Sequence, residues 1–226
     1  MRKTPFVVDE FYHIYNRGVD KRPVVIDQND ADRFLQSIIE FNVRDPIGSI
    51  YEVIQKKSSK KAFLRYQAQG TLQEKLVNIV SFRLNPNHYH FLLQPQIPEG
   101  IEKFMQKLGN GYTKYFNHRY KRSGSLFQGR FKSIHIDTNE YLLHVSAYVN
   151  LNNFVHGIPE DNKLRLPHSW DEFRGISKTN LYYKSTILSQ FKNSEEYVQF
   201  ALSSLEEMKR RKVEEKDLQK ILIELE

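Results

Sequence analysis

Two apolar segments joined by a three-residue turn constrain this chain more than any other feature. Val77-Asn78-Ile79-Val80-Ser81-Phe82-Arg83-Leu84 is rich in β-branched and aromatic residues and long enough for a strand. His88-Tyr89-His90-Phe91-Leu92-Leu93 reads as the returning strand, and Asn85-Pro86-Asn87 between them is turn chemistry. Residues 11–17, Phe-Tyr-His-Ile-Tyr-Asn-Arg, alternate as a further strand does, and Leu126 to Ile136 supplies another. Helical periodicity fills the gaps. Asn29-Asp30 can cap a helix through Phe41 with Phe34, Leu35, Ile38 and Ile39 as its apolar stripe, and Pro98-Glu99-Gly100 opens a helix over 100–120. Asp137-Thr138-Asn139 caps one more, over 139–152. The order is β-α-β-β-α-β and then a helix. The first six elements predict an α+β, ferredoxin-like split βαβ fold: an antiparallel sheet with helices on one face. The seventh element is extra to that pattern, and it sits where it could present a catalytic group to the sheet.

The 226 residues divide by character. Residues 1–157 read as one catalytic domain carrying an insertion at 43–75, where Pro46, Gly48 and the run Lys56-Lys57-Ser58-Ser59-Lys60-Lys61 break any periodicity. Residues 158–226 read as a helical extension. Leu166-Pro167-His168-Ser169-Trp170 looks like a loop with an anchoring Trp, and 194–225 like one or two charged amphipathic helices containing Lys209-Arg210-Arg211-Lys212. Packing or interaction is the reading for this tail. The absence of cysteine excludes disulfides, thiolate metal sites and cysteine nucleophiles. No apolar run approaches the roughly 18 residues of a membrane span, and no apolar signal segment follows the basic N-terminus, so a cytoplasmic protein is expected.

Charge is unevenly spread. The formal net charge of +7 is matched by the segment 101–135 alone, where Lys103, Lys107, Lys114, Arg119, Lys121, Arg122, Arg130 and Lys132 face the single acid Glu102. Tyr112, Tyr115, Phe116, Tyr120, Phe127 and Phe131 are interleaved with these cations. Cations with aromatics suit phosphates with exposed bases, although a helix with a basic outer face and an aromatic buried face gives the same pattern. Arg130 and Lys132, two apart on the last strand, point the same way.

His88 and His90 also share one face of their strand, close enough to share a metal ion. Two imidazoles leave an ion under-coordinated, and a His-x-His pair is as readily structural. Tyr148 and Asn152 are four apart on the extra helix and share one of its faces. An amide oxygen suits Mg²⁺ or Mn²⁺ and a hydroxyl beside a bound phosphate suits nucleophilic attack, while core tyrosine and capping asparagine are the ordinary readings. His13 reads as a packing or hydrogen-bonding residue, and His118, His135, His144, His156 and His168 have no partner at ligand spacing.

Four segments, in order, resemble the single-tyrosine HUH transposases and, within them, the REP-associated tyrosine transposases. They are Tyr12-His13-Ile14-Tyr15-Asn16-Arg17-Gly18, then Pro86-Asn87-His88-Tyr89-His90-Phe91-Leu92-Leu93, then Gly124-Ser125-Leu126-Phe127-Gln128-Gly129-Arg130-Phe131-Lys132-Ser133, and last Tyr141-Leu142-Leu143 through Tyr148-Val149-Asn150-Leu151-Asn152. The likeness runs from about residue 11 to 157. Two positions depart from the family pattern: Asn153 stands where Pro is usual and Asn85 where Met is frequent.

The resemblance implies that His88, His90 and Asn152 hold a divalent metal, Mg²⁺ or Mn²⁺, and that Tyr148 is the nucleophile. It implies an enzyme that nicks and rejoins single-stranded DNA, at hairpins of short palindromic repeats, through a 5′-phosphotyrosine. Lys114, Arg119, Lys121, Arg122, Arg130 and Lys132 would then track the DNA backbone. Either a homodimer or a monomer fits. Two other readings stand beside this one: an idle nucleic-acid-binding module on the same fold, and a metal-dependent hydrolase that uses water.

Overall fold

The computed structural model describes residues 5–45, 47–48, 50, 74–159, 163–177, 179 and 181–224. The insertion read at 43–75, with its lysine run, lies almost wholly outside the described residues. Four strands form one sheet: β1 (Phe11–Arg17), β2 (Val77–Leu84), β3 (His88–Pro95) and β4 (Lys132–Ile136), in the spatial order β2-β3-β1-β4. Every neighbouring pair is antiparallel. With α1 (Gln28–Phe41) between β1 and β2 and α2 (Gly100–Arg119) between β3 and β4, this is the split βαβ arrangement.

The hairpin β2–β3 carries the fold, and its side chains sort by parity. Tyr89, Phe91 and Leu93 of β3 join Phe82 and Leu84 of β2, Phe34 and Ile38 of α1, and Phe104, Leu108 and Tyr112 of α2 in one core. A bulge between Ile79 and Ser81 resets the alternation of β2, so that Val77 and Ile79 share a core with Phe82 and Leu84 despite the odd spacing. The Phe91 ring is fully buried between Phe82, 4.5 Å away, and Phe104, 6.0 Å away.

The opposite face of the sheet is covered too. The extra helix is α3 (Asn139–Asn150), which turns at Leu151 into the one-turn α4 (Asn152–Val155) instead of continuing through residue 152. Leu142, Val145, Ala147 and Val149 of α3 pack with Val80, Leu92 and Ile136 of the sheet. The C-terminal residues close this second core. Trp170 and Phe173 of α5 (Trp170–Phe173), Ile187 of α6 (Ser185–Leu188), and Tyr197 and Ala201 of α7 (Ser194–Ser203) are all buried in it. Leu205 and Met208 of α8 (Leu205–Glu224) pack against its edge. The sheet is therefore sandwiched: α1 and α2 lie on one face as expected, and α3 with the tail helices lies on the other.

Local chemistry explains the remaining boundaries. α1 begins two to three residues earlier than Asn29-Asp30 suggests, because Asp27 is the N-cap and its carboxylate accepts from the Asp30 N–H at 3.1 Å. Thr138 caps α3 through the Tyr141 N–H at 3.2 Å. The last strand is shorter than 126–136. Phe127 bridges to Gly18, and Gly129 takes a φ of +68°, a left-handed turn that glycine adopts without strain, so the ladder starts only at Lys132. Among the described residues no helix is long and apolar enough to cross a membrane.

Candidate active site

The site lies on the face of the sheet that α3 covers. Register places Arg83, His90, Tyr15 and Lys132 in one row across all four strands, with side chains on that face. His88 is two residues from His90 and opposite Arg17.

His88 is held by three asparagines. Its Nδ1 donates to Asn87 Oδ1 at 2.6 Å, which leaves Nε2 as the unprotonated nitrogen of the neutral ring. Burial lowers the His88 pKa, so the ring is neutral near pH 7. Its Nε2 lies 2.9 Å from Asn152 Oδ1, and the Asn85 amide donates to both, at 2.8 and 2.7 Å. Two acceptor lone pairs thus converge on one donor, as they would on a cation. Ligands held about 2.1 Å from an octahedral ion stand about 3 Å apart, which is this spacing. Asn152 Nδ2 and Asn85 Oδ1 are buried with no hydrogen-bond partner in the structure, so the cluster is not self-satisfied as a purely structural one. The donor set fits a divalent metal. Asn85, a departure from the family pattern by sequence, is a working member of the cluster.

His90 is buried and also held neutral, by burial first and then by the neighbouring histidines His13, His88 and His156. His13 Nε2 is 2.8 Å from His90 Nδ1. Burial pushes the His13 pKa down to about 4. When His90 Nδ1–H donates to His13, the His90 Nε2 lone pair is left for a ligand, the usual partnership that fixes the tautomer of a metal-binding imidazole. The Tyr148 ring stands edge-on to His90, with centroids 5.5 Å apart, and edge-on to His13 at 5.8 Å. The Tyr15 ring stacks on His90 at 5.6 Å.

Sequence reasoning passed over His156. The ligand atoms of His88, His90 and His156 all lie within 4.8 Å of one another, and the His88 and His156 ring centroids are 4.8 Å apart. The signal was present, since Tyr148, Asn152 and His156 recur every four residues, one helical turn each.

A buried polar network fixes the helix that carries Tyr148. Tyr197 OH bonds Ser146 Oγ at 2.6 Å and accepts from Asn150 Nδ2 at 2.9 Å. Ser169 Oγ donates to Asn150 Oδ1 at 2.6 Å and accepts from the Phe82 N–H at 2.9 Å. Arg83 reaches the Asn150 carbonyl at 3.3 Å. Tail residues thereby tie α3 to β2.

The cations named from sequence divide into two groups. Lys132 shares the site's face, and Arg130 is exposed just before it. Lys114 and Lys121 are exposed on and just beyond α2, and the Arg122 guanidinium lies over the Phe116 ring at 5.6 Å. Arg119 is engaged inside the protein. It pairs with Asp27 at 2.6 Å and with the fully buried Asp30 at 2.9 Å, and it donates to Tyr115 OH at 2.8 Å. Tyr115 and Tyr120 donate to the same Asp30, and Tyr112 OH donates to the Val24 carbonyl. Burial pushes the pKa of all three tyrosines up, and their hydroxyls are bonded on the α1–α2 side, across the sheet from His88 and His90.

Residues 49–152, from the segment before β2 through Asn152, match the family model of the IS200-like transposases. That segment of the chain is similar to the IS200-like transposases. No curated protein matches the chain. Among solved structures it is similar to a REP-associated tyrosine transposase bound to a REP hairpin, with 15% identity, 80% of this chain and 96% of that one covered, and a TM-score of 0.44. It is also similar to a candidate transposase from Deinococcus radiodurans r1, with 13% identity, 71% and 100% covered, and a TM-score of 0.35.

Proposed function

We propose that this protein is a transposase that cleaves and rejoins single-stranded DNA through Tyr148, with a divalent metal held by His88, His90 and Asn152 and with His156 within reach as a further ligand. The observation that carries the reading is the convergence of Tyr148, His90, His88 and Asn152 on one face of the sheet, with the two best-placed donor atoms 2.9 Å apart. Mg²⁺ and Mn²⁺ both accept the amide oxygen, and a site this rich in imidazole leans toward Mn²⁺. Bound there, the metal supplies Lewis-acid polarisation of the scissile phosphate.

The chain's own residues do the rest. His13 holds the ring of His90, and Asn87 holds the ring of His88, so both present a neutral nitrogen. The Tyr148 oxygen attacks the phosphorus in line, the P–O3′ bond breaks, and the 3′ oxygen leaves with a proton. The product is a 5′-phosphotyrosine and a free 3′-hydroxyl. The ester bond is conserved, so rejoining needs no nucleotide cofactor. Hairpin DNA of short palindromic repeats is the substrate we propose, from the sequence resemblance, with Arg130, Lys132, Lys114, Lys121 and Arg122 along the backbone path.

The test is covalent trapping. Labelled single-stranded hairpin DNA is incubated with the protein and Mn²⁺ or Mg²⁺ and resolved on a denaturing gel. A protein–DNA adduct that is lost on chelation, in Tyr148→Phe and in His88→Ala is expected. Cleaved DNA with no adduct would replace this reading with hydrolysis by water, and tight binding with neither product would leave a binding module.

A further inference from the structure

The hairpin turn places Asn85 inside the histidine–asparagine cluster. Its backbone N–H donates to the His88 carbonyl at 2.8 Å, which closes the turn between β2 and β3 and sets the two side chains next to each other. Asn85 is 1% exposed and Asn152 is fully buried. Three side-chain atoms then form a closed triangle. Asn85 Nδ2 lies 2.8 Å from His88 Nε2 and 2.7 Å from Asn152 Oδ1, and those two lie 2.9 Å apart. Ligand atoms held about 2.1 Å from an octahedral ion and sharing one of its faces stand about 3 Å apart, so every edge of the triangle has the size of such a face. Two of its corners are acceptors, and the third is an amide nitrogen that donates to both. His88 Nε2 has one lone pair, and the Asn85 N–H occupies it. A cation held by His88 therefore displaces that hydrogen bond. Turning the Asn85 amide over about Cβ–Cγ releases the lone pair without moving the backbone, and it puts Oδ1 at the corner that Nδ2 leaves. Oδ1 is buried and accepts no hydrogen bond among the described residues, so it is free to turn.

We infer that Asn85 is a further oxygen ligand of the metal: binding of the ion turns its amide over, exchanging the bridge between His88 and Asn152 for coordination through Oδ1. This rests on the reading of His88, His90 and Asn152 as a divalent-metal site. It makes the hairpin turn a determinant of which ion binds, because an added amide oxygen favours Mg²⁺ and Mn²⁺ over softer ions.

The full-length protein tests it with Mn²⁺ alone, titrated while the paramagnetic resonance signal of the free ion is followed. Asn85→Leu keeps the volume and removes both polar atoms. It is expected to weaken Mn²⁺ binding by about tenfold or more, at least the loss that removal of an outer-shell partner causes. Asn85→Asp offers oxygen in either orientation, and it is expected to bind Mn²⁺ at least as tightly as wild type. Unchanged binding in Asn85→Leu overturns the inference. So does tighter binding there, which would make the amide a plug over the two acceptors. Weaker binding in Asn85→Asp overturns it as well, because Asn85 would then serve as an N–H donor to Asn152. His88→Ala separates the inference from the reading beneath it. Loss of Mn²⁺ in His88→Ala with wild-type affinity in Asn85→Leu removes Asn85 and leaves the metal site, whereas no Mn²⁺ on wild type removes both. If either Asn85 variant fails to fold, proton–nitrogen NMR of the wild type decides. Saturating Mg²⁺ should move the Asn85 side-chain amide protons upfield as they give up both acceptors, and unmoved signals overturn the inference.

Discussion

One strand shows both characters of this molecule. On one side of β3, Tyr89, Phe91 and Leu93 are nearly inaccessible and pack among rings and aliphatic chains, with the Tyr89 hydroxyl bonded to Asn16. On the other side, His88 and His90 sit among Asn85, Asn87, Asn152, His13 and Tyr148. The faces differ by one residue of register, yet one is built for stability and the other keeps buried polar atoms without partners. Unsatisfied donors and neutralised imidazoles are costs a fold carries where it needs a site. The aromatic face is the support: it fixes the strand from below so that the histidines are held from behind.

Substitution on the two sides of β3 should separate the roles. Phe91→Ala is expected to cost about 3–5 kcal/mol, read as a fall in the urea midpoint. His90→Ala should cost much less stability and yet abolish adduct formation; equal stability losses would erase the distinction. The supporting side has its own buried charge. Asp30 is fully buried and takes hydrogen bonds from Arg119, Tyr115, Tyr120 and the Ile26 N–H. Asp30→Ala should destabilise by about 3 kcal/mol, because it leaves those donors unpaired, while the adduct-forming chemistry of the folded fraction persists.

Acid should act through the site face. An unfolded histidine takes up its proton near pH 6.5, and native His13 takes one only near pH 4. Between these values the unfolded chain binds more protons, so stability is lost as pH falls through that window, by at most about 1.4 kcal/mol per pH unit for each such histidine. His90 shifts in the same direction. Thermal melts from pH 7 to pH 4 should show this decline, and His13→Gln should make it shallower. A flat profile would mean that the pair is not held neutral.

The smallest expected effect is on DNA affinity. Lys132→Gln or Arg130→Gln should each lower the salt slope of single-strand binding by about 0.7 with little change in the melting temperature. Arg119→Gln should do the reverse, lowering the melting temperature and leaving the slope. If Arg119→Gln also lowers the slope, its ion pairs with Asp27 and Asp30 open when DNA binds.

The hairpin, both flanking helices, the extra helix and the pairing of His88 with His90 were legible because each rests on local periodicity or turn chemistry. The short β4 was not, because Phe127 looks like a strand residue and its bridge to Gly18 is a tertiary contact. Arg119 read as a surface cation because no local pattern shows that Asp27 and Asp30 lie opposite it. Asn85 read as a deviation, since its value lies in reaching Asn152, 67 residues away in sequence. His156 was the exception: its four-residue spacing from Asn152 was visible in the sequence, and only its distance from His88 and His90 made it count.

The most direct measurement is to digest the trapped protein–DNA adduct and locate the nucleotide by mass spectrometry. Two tyrosines flank His90 in the folded site, Tyr148 and Tyr15, so the result can go either way on geometry alone. The account predicts a 5′-phosphonucleotide on the peptide containing Tyr148 and none on Tyr15. Modification of Tyr15, or of Tyr112, Tyr115 or Tyr120 on the supporting side, would contradict it.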